Sequence, residues 1–126
     1  MAIRIVRLGM PRIPGEGVRI GTVRRPPRGV PKARIGNFYD VWLPNLAPSA
    51  PLVKVGLAAR TPAQWRTFQR RFRAEMNRPD AVRVLDVLAV LSRSADFSVG
   101  CYCEDEARCH RSILRELLAE RQAVLA

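Results

Sequence analysis

Two β-branched runs, Ile3 to Leu8 and Phe97 to Cys103, bracket two helix patterns set back to back, and a third helix pattern follows the second run. Strands separated in this way by helices pair through crossovers rather than tight hairpins, which gives parallel neighbours. The order strand, helix, helix, strand, helix therefore predicts an α/β fold. The expected architecture is a single compact domain over residues 1–126, with a central, mainly parallel β-sheet flanked by helices and right-handed crossovers. A length of 126 residues, 48% of them hydrophobic, suits one core and excludes the disordered classes.

Local signals place the elements. Ile3 to Leu8 reads as a strand stopped by Gly9 and Pro11. After turn chemistry at Gly15-Glu16-Gly17, Val18, Ile20 and Thr22 alternate with Arg19 and Gly21, as in a half-exposed strand with its arginine outward. Phe38 to Leu43 is a third extended segment, and Ser49 is placed to cap a short helix running toward Val55. Thr61-Pro62-Ala63-Gln64 carries a capping box with proline in the first turn. That helix should run to about Asn77 with Trp65, Phe68, Phe72 and Met76 as its buried stripe; at helical spacing these aromatics read as core rather than as a base-stacking platform. Pro79 and Asp80 open a helix over Ala81–Arg93 whose many valines and leucines predict heavy burial. The last helix should start near Asp105 and present Ile113, Leu114, Leu117 and Leu118 inward.

Twenty-two Lys and Arg stand against eleven Asp and Glu, a formal charge of +11. Such an excess speeds encounter with polyanions and favours a phosphate-bearing ligand or nucleic acid as partner. The run Arg24-Arg25-Pro26-Pro27-Arg28-Gly29-Val30-Pro31-Lys32 holds its cations on a stiff loop, because its prolines forbid ladder pairing. Arg24, Arg25, Arg28, Gly29 and Lys32 are accordingly the candidate ligand-binding residues. No apolar run approaches the ~18 residues of a membrane span, and three cysteines do not form a secreted disulfide framework. The expectation is a soluble, unprocessed cytoplasmic protein with no membrane partner.

Every cysteine and the only histidine lie within Cys101 to Arg111. Cys101 and Cys103, two apart on a strand, would share a face, and Cys109 and His110 would open the final helix. The carboxyl end of a strand beside the amino end of a helix is where open α/β sheets bind ligands. Free amide groups and the positive helix end there favour an anion and should lower the pKa of Cys109. Cys101, Cys109, His110 and Arg111 are thus the candidate catalytic residues, with a cysteine as nucleophile, His110 as base and Arg111 as anion clamp. Side chains at 109 and 110 would diverge by about 100 degrees on an ideal helix, which makes Cys101 the easier partner for His110. Three other readings stay open. Zinc held by Cys101, Cys103, Cys109 or His110 lacks the spacing of common fingers, so no metal site is assigned. A phosphatase-like loop from Cys109 to Arg115 conflicts with the helical stripe. The four groups could also serve only in packing and capping. No cofactor is indicated by the residues.

Cys101 followed after seven residues by Cys109-His110-Arg111 resembles the C-x7-C-H-R signature of the DUF488 family. Pro27-Arg28-Gly29-Val30-Pro31-Lys32, Trp42 to Ser49, and Trp65 to Glu75 resemble its YeaO-like branch, in the same order along the chain. The resemblance implies a compact α/β domain and no particular reaction. By position it marks Arg28, Gly29, Lys32, Cys101, Cys109, His110 and Arg111 as motif residues. The chain departs from the branch at Val23 and Pro26, where Asp and Trp are common, at Cys103, often a glutamate, and after Lys54, where a Gly-His-Asp segment is missing.

Overall fold

The strand that comes last in sequence lies inside the sheet. In the computed structural model, which describes residues 1–126, strands β1 (Ile3–Arg7), β2 (Val18–Gly21), β3 (Val41–Trp42) and β4 (Phe97–Cys101) form one sheet in the order β1-β4-β2-β3, every pair parallel. Four α-helices accompany it: α1 (Ala50–Ala58), α2 (Pro62–Glu75), α3 (Pro79–Leu91) and α4 (His110–Glu120). Short 3-10 turns occupy Lys32–Asn37, Pro44–Leu46 and Glu106–Arg108. The α/β class and parallel sheet expected from element order are what the chain adopts. No helix is long and apolar enough to cross a membrane.

Central strand β4 is buried along its whole length. Its register sets Phe97 beside Ile3 and Val99 beside Ile5 and Ile20, one apolar face shared by three strands. Against this face pack Leu52 of α1, Trp65, Phe68 and Phe72 of α2, Leu85 and Leu88 of α3, and Ile113, Leu114 and Leu118 of α4. The aromatic stripe of α2 is core, as its spacing predicted. The cap of α2 also forms as read: Thr61 Oγ1 accepts from the Gln64 amide and the Gln64 side chain accepts from the Thr61 amide. Caps of this kind contribute about 1 kcal/mol.

Alternate residues of β4, Ser98 and Gly100, face the other way. A side chain at Gly100 would lie 2.6 Å from the Val6 carbonyl, so β1 and its following loop approach β4 as closely as they do only because the position is bare. Below it the sheet carries a buried charge pair. Arg19, expected outward, is 1% exposed and lies against Glu16, itself 3% exposed. The guanidinium donates from Nε to Oε2 (2.7 Å) and from Nη2 to Oε1 (2.8 Å), and Ser98 Oγ donates to Oε2 (2.9 Å). Period-two alternation set Arg19 opposite Ile20, and loop residues 8–16 close over that side instead of leaving it in water.

Other boundaries shift for local reasons. The third extended segment shortens to Val41–Trp42, and the helix after Ser49 runs on to Ala58. Helix α3 is not heavily buried: only its Ala81, Leu85, Leu88 and Ala89 stripe reaches the core, while Val87, Val90 and Leu91 face solvent. The final helix begins at His110 rather than near Asp105, because the Asp105 carboxylate accepts from the Ala107 amide and closes a separate 3-10 turn.

Candidate functional site at the carboxyl edge of the sheet

Beyond β4 the chain runs through α4 to Leu125, which bridges Ile3 on the outer side of β1. From β2 it runs the other way, to β3. The carboxyl ends of β2 and β4 therefore flank the place where successive connections leave in opposite directions, the position at which open α/β sheets form their ligand crevice. Leu8, Val23, Tyr39, Cys101 and Cys109 cluster there, separate from the main core.

Into this position the segment from Cys101 to Arg111 folds back on itself. Cys101 ends β4, Cys103 follows in irregular backbone, and the 3-10 turn returns the chain so that Cys109 stands just before α4 in an extended conformation (φ −129°, ψ 150°). The three sulfurs lie within 4.8 Å of one another, with Cys101 Sγ and Cys103 Sγ 3.8 Å apart. All three cysteines are free; Cys101 and Cys109 are buried and Cys103 is half-buried.

His110 is placed by contacts on two sides. Its Nε2 lies 2.6 Å from the Thr22 carbonyl, which can only accept, so Nε2 carries the proton and Nδ1 is left as acceptor, 3.8 Å from Cys109 Sγ. The ring meets the edge of Phe72, with centroids 5.4 Å apart. The imidazole therefore meets Cys109, not Cys101: the ideal-helix divergence expected between positions 109 and 110 does not apply, since Cys109 lies outside the helix. Burial pushes the His110 pKa down to about 4, partly opposed by the Thr22 carbonyl, so the ring is neutral at neutral pH.

Arg111 is 4% exposed. Its Nη2 donates to the Cys103 carbonyl (2.6 Å), and its Nε has no protein partner although buried. The neighbouring Cys101 and Cys109 thiols and, more weakly, the nearby Arg111 charge hold the Cys103 pKa well below the ordinary thiol range, against the effect of burial. The contact with Cys103 pushes the Cys101 thiol up, to about 11, against a lowering contact from Cys109, and contacts with Cys101 and Cys103 raise Cys109, with burial adding to both. The helix amino end was expected to lower Cys109; the Arg111 amide does act that way, but the neighbouring thiols and burial outweigh it. Of the three thiols, Cys103 is the one whose pKa is lowered. That residue was weighed in the sequence only as a zinc ligand, and the signal that could have singled it out is the two-residue spacing from Cys101.

The basic loop reaches the same edge at one point. The Tyr102 hydroxyl donates to the Arg25 carbonyl (3.0 Å), and the Tyr102 ring packs edge-on to Phe38. Arg25, Arg28 and Lys32 are exposed, and Gly29 takes a positive φ of 70°. Arg24 is differently employed: its guanidinium donates to the carbonyls of Pro44, Ala47 and Pro48 and ties its loop to the segment after β3. Elsewhere cations are matched to acids, Arg73 with Glu116 and Glu120, Arg115 with Glu106, and Arg121 with Asp86.

A family model described as the active DUF488-N3 subclade matches residues 3–122. The chain belongs to the DUF488 family. The matched span holds all four strands and all four helices of this DUF488 domain, together with the three cysteines, His110 and Arg111. No curated protein and no solved structure matches the chain.

Proposed function

We propose that this DUF488 domain is a thiol-dependent enzyme of a reducing cytoplasm: the Cys103 thiolate attacks an electrophilic carbon of a small substrate that carries an anionic, phosphate-like group, a carbon–sulfur bond forms, and the leaving group departs with the electron pair of the bond broken at that carbon. The observation that carries the reading is the convergence of three sulfurs at the topological switch point, with Cys103 the one that reaches solvent. Cys101 and Cys109 serve as thiol donors to it, and His110 fixes Cys109 rather than acting as the external base. Arg111 stands ready for the anion, since a buried guanidinium with an unpartnered Nε favours a charged oxygen.

Iodoacetamide at neutral pH, with the products located by peptide mass mapping, tests this. Cys103 should react about tenfold or more faster than Cys101 and Cys109, as accessible, electropositive thiols do. Three equally inert thiols would remove the nucleophile and the proposal with it.

A second reading, binding of nucleic acid, draws on the formal +11 charge and on exposed Arg25, Arg28 and Lys32 beside Tyr102. It predicts affinity for single-stranded RNA that falls steeply with salt, and loses roughly one unit of log–log slope for each phosphate-contacting cation replaced by alanine. Weak binding that ignores salt rejects it.

A further inference from the structure

The three sulfurs also have the geometry of a ligand set. We propose that Cys101, Cys103 and Cys109 together bind a single Zn2+ ion as a three-thiolate site whose fourth position opens beside Cys103. Zinc–sulfur bonds of about 2.3 Å in a tetrahedron put neighbouring sulfurs about 3.8 Å apart. Cys101 and Cys103 stand at 3.8 Å, and all three sulfurs fall within 4.8 Å, so closure requires a contraction of at most about 1 Å. The spacing C-x-C-x5-C is unlike common fingers because the ligands come from a strand end, the residue two beyond it and a helix cap; here the 3-10 turn at Glu106–Arg108 supplies the return that a short knuckle supplies elsewhere.

Charge and surroundings fit a cation held by thiolates. Three thiolates with Zn2+ leave one negative charge, and the buried Arg111 guanidinium beside Cys103 supplies one positive charge against it. His110 stays outside the set, its Nε2 being held by the Thr22 carbonyl. Three protein ligands and one open position are the arrangement of a zinc ion that can take a further ligand from solution, in contrast to a closed structural site.

The site uses the sulfurs of the proposed thiol chemistry but does not require that chemistry; Zn2+ bound there would mask Cys103. Reduced, chelator-treated protein titrated with Cd2+ should develop an ultraviolet thiolate-to-metal charge-transfer band that saturates at one equivalent. Cys103→Ser, a near-isosteric change at a half-buried position, should weaken the affinity by about tenfold or more, as should prior carboxamidomethylation of Cys103. Zn2+ should slow alkylation of Cys103 by about tenfold or more, since a ligating thiolate is no longer free to attack. No saturable band, or equal affinity in Cys103→Ser and the wild type, overturns the metal site. Selective Cys103 alkylation without metal binding would sink the metal site alone, whereas metal binding with three unreactive thiols in the metal-free protein would sink the enzyme reading alone.

Discussion

Glu16→Ala is expected to destabilise the fold by about 3–5 kcal/mol, the loss seen when one member of a buried ion pair is removed. Domains of this size hold roughly 5–15 kcal/mol in total, so the variant should be largely unfolded at modest urea concentrations. The cost arises from what remains: Arg19, 1% exposed, keeps its charge and loses two of its three acceptors, retaining only the Met10 carbonyl through Nη1. Ser98 Oγ loses its acceptor too. Replacing both partners, Glu16→Leu with Arg19→Met, should recover most of the stability, because no uncompensated charge is left inside. Urea unfolding of the two variants checks this. A single variant within about 1 kcal/mol of wild type would show that the pair is not holding the loop to the sheet.

The same carboxylate gives the fold an acid limit. Hydrogen bonds from the Arg19 guanidinium bring the Glu16 pKa from 4.5 down to about 2, against the opposing effect of burial. A folded pKa below the unfolded one means that the contribution is full above 4.5 and is lost as pH falls toward 2. Wild-type stability should therefore drop between about pH 4.5 and pH 2, and the doubly apolar variant should drop less over the same range.

His110→Ala is expected to cost about 2–4 kcal/mol, from the cavity left by a buried ring and the orphaned Thr22 carbonyl. His110→Gln, which returns an N–H donor, should recover part of that loss. The rate of Cys103 alkylation in either folded variant should stay within about threefold of wild type, since the imidazole is sealed, neutral and turned toward Cys109. A fall of about tenfold or more with the fold intact would make His110 the proton acceptor and overturn its role as a framework group.

Much of the candidate site was legible in the sequence. The cysteine and histidine segment, its place between a strand end and a helix start, and the inward direction of α4 all follow from local pattern. What was not legible turns on single residues. Cys109 takes an extended conformation ahead of the helix, and that one backbone choice replaces the ideal-helix geometry that assigned His110 to Cys101. Cys103 was placed on the strand beside Cys101 and weighed only as a zinc ligand, yet the strand ends at Cys101 and Cys103 reaches the cluster from irregular backbone. Arg24 looked like the other cations of its loop, and only the folded path of residues 44–48 reveals three carbonyls converging on it.

By itself the sequence determined the α/β class, the capped aromatic helix α2 and the segment that gathers every cysteine and the only histidine, because periodicity, capping and residue type act over a few neighbouring positions. Tertiary structure alone decided that β4 lies between β1 and β2, that Arg19 turns inward to Glu16, and that three sulfurs from a strand end, a loop and a helix cap meet at one point. Those outcomes depend on groups such as Glu16 and Ser98, separated by 82 positions, and the free energy that joins them exists only once the intervening chain has packed.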